Sequence, residues 1–291
     1  MLFQLQFNFK NDKFIDSILG EINYKNYLKK DSENNEIRDM IKSDECEISY
    51  IDHMPYDVCV LNNKHLIVVH DDCLSLYNEF FNLVRSIDEI DFKKFTPASI
   101  ACNDENQLYI SDWKENRIIM TDMEFTKLKV YGENNELSRP WSLSFNTGVL
   151  YACDFNNKSL KLFDKDLELF KTVKLGYQPW QMKASDKIVC INTYYFYDTV
   201  FYSKDEFTPL CCYKNQQCRI SAINSHFYGY SYKTNEIYCY DDTGNFIESI
   251  EVSRTDEDDS HCDDGCILYF DTSLVISFFK NKLFMKFKRN C

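Results

Sequence analysis

No apolar run in this 291-residue chain approaches the roughly 18 residues that a membrane-spanning helix requires, so none is expected. Basic residues are also short: 33 Lys and Arg face 46 Asp and Glu, a formal net charge of −13. Nucleic-acid affinity is driven by cations that neutralise phosphates, so the overall field works against that class of partner. Cys-x-x-Cys pairs are absent, although there are 13 cysteines. The opening "MLFQLQFNFKNDK" lacks a basic segment followed by a long apolar core, so it does not read as a secretory signal. Reduced thiols in a cytoplasmic protein, with no disulfide framework, are the expectation. Ala-rich helical segments are missing. So are a Gly-x-Ser-x-Gly elbow and a phosphate loop.

Aromatic residues, by contrast, are plentiful. The chain has 20 Tyr and 23 Phe, and 44% of its residues are hydrophobic. That is ample for a packed interior, and these residue types favour strands. An all-β domain follows as the first expectation.

Proline sets a register. There are five, and Pro55, Pro97, Pro140 and Pro179 stand 42, 43 and 39 residues apart. Each opens a short strand-like run: "PYDVCV", "PASIAC", "PWSLSF" and "PWQMKA". "CRISAI" from Cys218 and "DGCILYF" from Asp264 continue the series without proline. A second run follows each start, as in "QLYISDW" and "VLYACDF", and then a third, as in "RIIMTDM" and "SLKLFDK". A more ragged fourth run completes the unit. The runs alternate with period 2, which excludes a helical solenoid of similar repeat length. Four short strands in about 40 residues is the pattern of a propeller blade. The likeness between "SDWKENRIIMTD" and "CDFNNKSLKLFD" then marks the connection between second and third strands.

The second unit, "FTPASIACNDENQLYISDWKENRIIMTD", resembles the NHL repeat, with Pro before the inner strand, an Asp-Asn turn, "LYISD" and "NRI". The resemblance spans about residues 52 to 287 and is strongest in that copy. It implies a six-bladed β-propeller of four-stranded antiparallel blades, a binding platform like the one that ends tripartite-motif ubiquitin ligases. No RING or B-box zinc pattern precedes the repeats, so ligase activity is not implied. A single domain over 1–291 is expected. Closing strands would lie in 1–20, an irregular or helical connecting segment in 21–47, and the repeat array in 52–291. An open sheet edge invites aggregation, so N-terminal strands should complete the last blade.

Candidate site residues come from repeat phase. Tyr56, Trp141 and Trp180 follow a blade-start proline, and Arg219 holds the matching place in "CRISAI". Trp113 and Arg117 lie in a second-to-third-strand connection. In a propeller both places belong to one face, so the six should ring one mouth of the channel. Exposed aromatics and Arg are typical binding anchors. The alternative position for each Trp is between neighbouring blades.

Catalysis is not expected. The five histidines occupy different repeat phases, and the inner strands carry few carboxylates. The acidic stretch "DEDDSHCDD" lacks a second half for zinc and the spacing of a calcium loop, so neither metal nor cofactor is expected. The reading is a monomeric, non-catalytic scaffold for a protein or peptide. RNA is the alternative ligand, which requires Lys114, Arg117, Arg139, Lys158, Arg219 and Lys233 to merge into one patch. A metal-dependent propeller hydrolase or lyase is the third reading.

Overall fold

The structure, a computed structural model, describes residues 4–5, 46–50, 54–61, 65–195, 197–216, 218–223, 226–231, 233–234, 236–251, 267–270, 273–278 and 283–288. Side chains are described only between residues 54 and 251. Two N-terminal strands come first, β1 (Gln4–Leu5) and β2 (Cys46–Tyr50). The first blade is β3 (Asp57–Leu61), β4 (His65–Val69), β5 (Leu74–Asn78) and β6 (Leu83–Ile87). A two-stranded hairpin, β7 (Glu89–Ile90) and β8 (Lys93–Lys94), leads to the second. That blade is β9 (Pro97–Cys102), β10 (Leu108–Asp112), β11 (Arg117–Thr121) and β12 (Lys127–Tyr131). The third is β13 (Pro140–Asn146), β14 (Val149–Asp154), β15 (Ser159–Phe163) and β16 (Leu169–Lys174). The fourth is β17 (Pro179–Ala184), β18 (Ile188–Thr193), β19 (Thr199–Ser203) and β20 (Pro209–Tyr213). The fifth is β21 (Cys218–Ile223), β22 (His226–Ser231), β23 (Glu236–Tyr240) and β24 (Phe246–Glu251). Last come β25 (Ile267–Phe270), β26 (Ser273–Phe278) and β27 (Leu283–Lys288).

Blade boundaries therefore fall where the prolines predict, and no helix occurs among the described residues. The blade count differs. Among the described residues, five four-stranded antiparallel blades are present where six were expected, and a further sheet besides the short hairpin has five strands in the order β1-β2-β27-β26-β25. It gathers both ends of the chain and stands between the fifth blade and the first, with β25 packed near β21 and β3. The strand that pairs with β27 is β2, Cys46 opposite Phe287 through Tyr50 opposite Leu283. Closing strands were expected within 1–20, but only Gln4–Leu5 of that span is described as strand, and it pairs with β2 rather than with the C-terminal strands. Cys46 and Glu47 belong to β2, and the rest of the expected connecting segment 21–47 lies outside the described residues.

Packing explains the sequence pattern. Each blade is covered on both faces by its neighbours, so its middle strands are apolar nearly throughout. β10 and β18 are buried along their whole length, whereas the outer strand β16 is mostly exposed. The cores lie between blades: Ile67, Ile100 and Ile110 share one, and Tyr109, Leu143, Leu150 and Phe163 share the next. Gly229 in β22 lets Ile220 and Cys218 pack close, because a Cβ there would sit 2.5 Å from Ile220 Cδ1 and force that side chain to shift.

Candidate binding face

The repeated Asp in the two look-alike segments is a strut. Asp112 Oδ1 accepts a hydrogen bond from the Thr96 N–H at 3.1 Å, and its Oδ2 accepts one from Arg117 Nε at 2.9 Å. Asp154 does the same one blade later, accepting from the Ser138 N–H at 2.8 Å and from Asn157 Nδ2 at 2.9 Å. Each buried carboxylate ties its second-to-third-strand turn to the segment that opens its own blade. Burial pushes the Asp154 carboxyl up from its ordinary range, and the Asn157 and Ser138 hydrogen bonds oppose that.

A backbone hydrogen bond recurs beside these struts. The N–H of Trp113 donates to Thr96 O, that of Phe155 to Arg139 O, and that of Tyr194 to Gln178 O. Trp113, Phe155 and Tyr194 are therefore equivalent positions in blades two, three and four. A second set comes from the blade starts. The strand register shifts between Pro140 and Leu143 and between Pro179 and Gln181, where Trp141 and Trp180 sit. Such bulges re-aim a side chain.

The two sets merge into one stack. Trp113 lies 5.7 Å from Trp141, which stacks on Trp180 at 4.5 Å and an interplanar angle of 26°. Tyr194 packs 4.9 Å from Trp180 and 5.1 Å from Phe155, and Tyr195 lies 4.9 Å beyond Tyr194. The three Trp are half-buried and Phe155 is buried, while Tyr194 is 37% and Tyr195 68% exposed. Arg139 caps the inner part, its Cζ 5.0 Å from the rings of both Trp113 and Trp141 and 5.3 Å from Phe155. Its backbone is left-handed, φ 59°, and its N–H donates to Asn116 Oδ1 at 2.7 Å. A non-glycine residue in that conformation costs on the order of 1–2 kcal/mol, which the ring contacts and the Asn116 bond offset.

Tyr56, Ala98, Trp141, Trp180 and Arg219 line one narrow pocket at the channel mouth. Tyr56 directly precedes β3 and the other four are the second residues of their inner strands, so repeat phase does bring them together. Arg219 donates from Nη1 to Tyr56 O. The Tyr56 hydroxyl is pushed up to about 12, first by burial and then by its hydrogen bond to Asp71. Arg117 lies on the same connection as Trp113, but its guanidinium is turned onto Asp112 and the Lys94 carbonyl. Phe155, Tyr194 and Tyr195 are absent from the sequence-based set, and Arg139 enters it only among the cations of the RNA alternative. The alignment of "SDW", "CDF" and "NTY" carries the signal for Phe155 and Tyr194.

At the other end of the channel, where the inner strands finish, lies an open cavity of about 510 Å³. Cys59, Cys102, Ser144, Lys183 and Asp186 are among its lining residues. Lys183 Nζ approaches Asp57 Oδ1 at 3.6 Å, and Asp57 Oδ2 accepts from Ser99 Oγ and from the Ile100 N–H at 3.3 Å. Among the described residues, no three His, Cys, Asp or Glu side chains gather as metal ligands. The "DEDDSHCDD" stretch lies outside the described residues, as do His53 and His261.

Fold and face together define a β-propeller. No family model matches the chain, and no curated protein matches it. Solved structures do. Virginiamycin B lyase from Staphylococcus aureus superposes with a TM-score of 0.61 at 10% identity, over 83% of this chain and 99% of that one. A streptogramin B lyase gives 0.59 at 10% identity, over 84% and 97%. A Bacteroides caccae protein of unknown function gives 0.52 at 9%, over 68% and 82%. At such identities the likeness is one of fold, and membership of the NHL family does not follow from it. It does correct one expectation. The chain was read as having no chemistry of its own, yet two of these three propellers are lyases. Scattered histidines and a missing serine elbow are therefore no ground for calling it non-catalytic, because propeller loops from distant blades can assemble a site.

Proposed function

We propose that the chain binds an extended segment of a protein or peptide across the face formed by Trp113, Trp141, Trp180, Tyr194 and Tyr195. The observation that carries this reading is the continuous ring stack, which runs from half-buried Trp113 to Tyr195, 68% exposed. Rigid aromatic side chains cover much apolar area while losing little conformational entropy on binding. The inner rings are held by one another and by Arg139, so the face is organised before a ligand arrives.

Protein is favoured over RNA by what the arginines do. Arg117 is spent on Asp112, Arg139 on the rings and Arg219 on Tyr56 O, which leaves only the exposed Lys114, Lys158 and Lys233 of the six cations. Selection of a displayed peptide library on the folded protein tests the reading. Selected peptides should bind the Tyr195→Ala variant roughly five- to thirtyfold more weakly, because an interface anchor of this kind contributes about 1–2 kcal/mol. Equal affinity with an intact melting curve would remove this face.

A second reading rests on the lyase likeness. The same face would then hold a substrate that the propeller cleaves. Incubation with virginiamycin B, followed by mass spectrometry, tests it: a new product formed only with the folded protein supports turnover, and unchanged virginiamycin B removes that substrate.

A further inference from the structure

The cavity at the open end of the channel holds two thiols that the binding face does not use. Cys59 comes from β3 and Cys102 from the end of β9, the inner strands of neighbouring blades, which pack against each other. Both line the cavity and both are half-buried, so a small molecule in the channel reaches them. Cys59 Sγ donates to Val60 O at 3.8 Å and Cys102 Sγ to Asn103 O at 3.2 Å, and the two thiols lie close enough to perturb one another's ionisation. The other described cysteines are placed differently. Cys73, Cys153, Cys190, Cys218 and Cys239 are buried, Cys211 Sγ donates to the Gly244 carbonyl at 3.0 Å, and Cys212 is exposed on the outer strand β20.

We propose that Cys59 and Cys102 form a thiol–disulfide exchange site, open to low-molecular-weight disulfides through the channel, whose oxidised product covalently joins the first two blades. The two thiols have distinct roles. Cys102 is the last residue of β9, at the open end of the channel, and the neighbouring Cys59 thiol holds the Cys102 thiol below its ordinary value, which favours a thiolate there. Cys102 and burial together hold Cys59 well above its own. The thiolate is the attacking form. Cys102 sulfur attacks one sulfur of the small disulfide, that S–S bond breaks, and one small thiolate leaves and takes a proton from water. Cys59 then loses its proton and attacks the Cys102 sulfur of the mixed disulfide, releasing the second small thiol with that proton. Two protein thiols are oxidised to one disulfide, and one small disulfide is reduced to two thiols.

The test treats the folded protein with oxidised glutathione, blocks remaining thiols with an alkylating reagent and maps non-reduced peptides by mass spectrometry. A Cys59–Cys102 linked peptide is expected in the wild type. Cys59→Ser should instead trap glutathione on Cys102, since the resolving thiol is gone. Cys102→Ser should modify Cys59 at least tenfold more slowly than the wild type forms its link. Glutathione on exposed Cys212 shows that the reagent is active, and a link absent while Cys212 is modified would overturn the proposal. So would a link that forms only after urea unfolding. Should either Ser variant fail to fold, the wild-type map still decides between these results.

Discussion

The two ends of the channel are made by the same inner strands and differ in side-chain volume. Near the strand starts the lining side chains include Tyr56, Ala98, Trp141, Trp180 and Arg219, and the mouth is narrow. Where they finish, Ala101, Ser144, Ala184 and Ala222 leave a cavity of about 510 Å³. Bulges at the starts of the third and fourth blades add to the contrast by presenting Trp141 and Trp180 at the first mouth. One repeated unit thus carries two chemistries, ring stacking at its closed end and thiol and amine groups at its open end. Repetition fixes the ends in space, and single side chains decide what each end does.

The largest effect should come from removing a strut under the closed end. Asp112→Ala leaves the Thr96 N–H and the half-buried Arg117 guanidinium without their carboxylate. Breaking a buried pair in this way costs about 3–5 kcal/mol, and urea unfolding should show it. Alkaline pH gives the next effect. Tyr56 and, within the blades, Tyr109 and Tyr151 are each pushed up to about 12, chiefly by burial. A raised folded value means that the stability is fully present below the unfolded tyrosine value near 10 and is lost as pH rises through the folded one. Melting temperature should hold up to about pH 10 and fall towards pH 12. The shift at fully buried Tyr109 alone corresponds to roughly 2–3 kcal/mol. A melt that stays flat to pH 12 would mean these hydroxyls ionise freely in the folded state.

Smaller effects separate the two mouths. Tyr195→Ala removes an exposed ring, so folding should change by no more than about 0.5 kcal/mol while affinity for a selected peptide falls by about 1–2 kcal/mol. Ala222→Phe fills space at the open end instead. Stability should stay within about 1 kcal/mol and peptide affinity should be unchanged. Glutathione should reach Cys102 several-fold more slowly, as peptide mapping over time would show. A loss of peptide affinity in Ala222→Phe would break the separation of the two ends.

Much of this was legible in the sequence, because a repeat converts spacing into position. The prolines at 97, 140 and 179 each begin an inner strand, and the post-proline residues do line one pocket. The repeated Asp was visible as a pattern, but its work as a hydrogen-bond strut was not, since that depends on backbone N–H groups of the segment before the proline. Arg139 was seen only as one cation among six. Its place over three rings follows from a left-handed backbone just before Pro140, which no residue type there announces. The strand beside β27 was misplaced for a related reason. Residues 46–50 have no sequence neighbour in their sheet, so no local repeat marks them.

The central claim is that partners meet the closed, aromatic end, and the chain carries its own reporter for it. All three tryptophans lie in that stack, so fluorescence excited selectively at tryptophan, rather than at the 20 tyrosines, reads this face. The direct measurement is a titration with a selected peptide, following tryptophan emission and its quenching by acrylamide alongside calorimetry. Binding at this face predicts a shift in emission and weaker quenching that saturate with the calorimetric isotherm. Binding seen by calorimetry with emission and quenching both unchanged would contradict it.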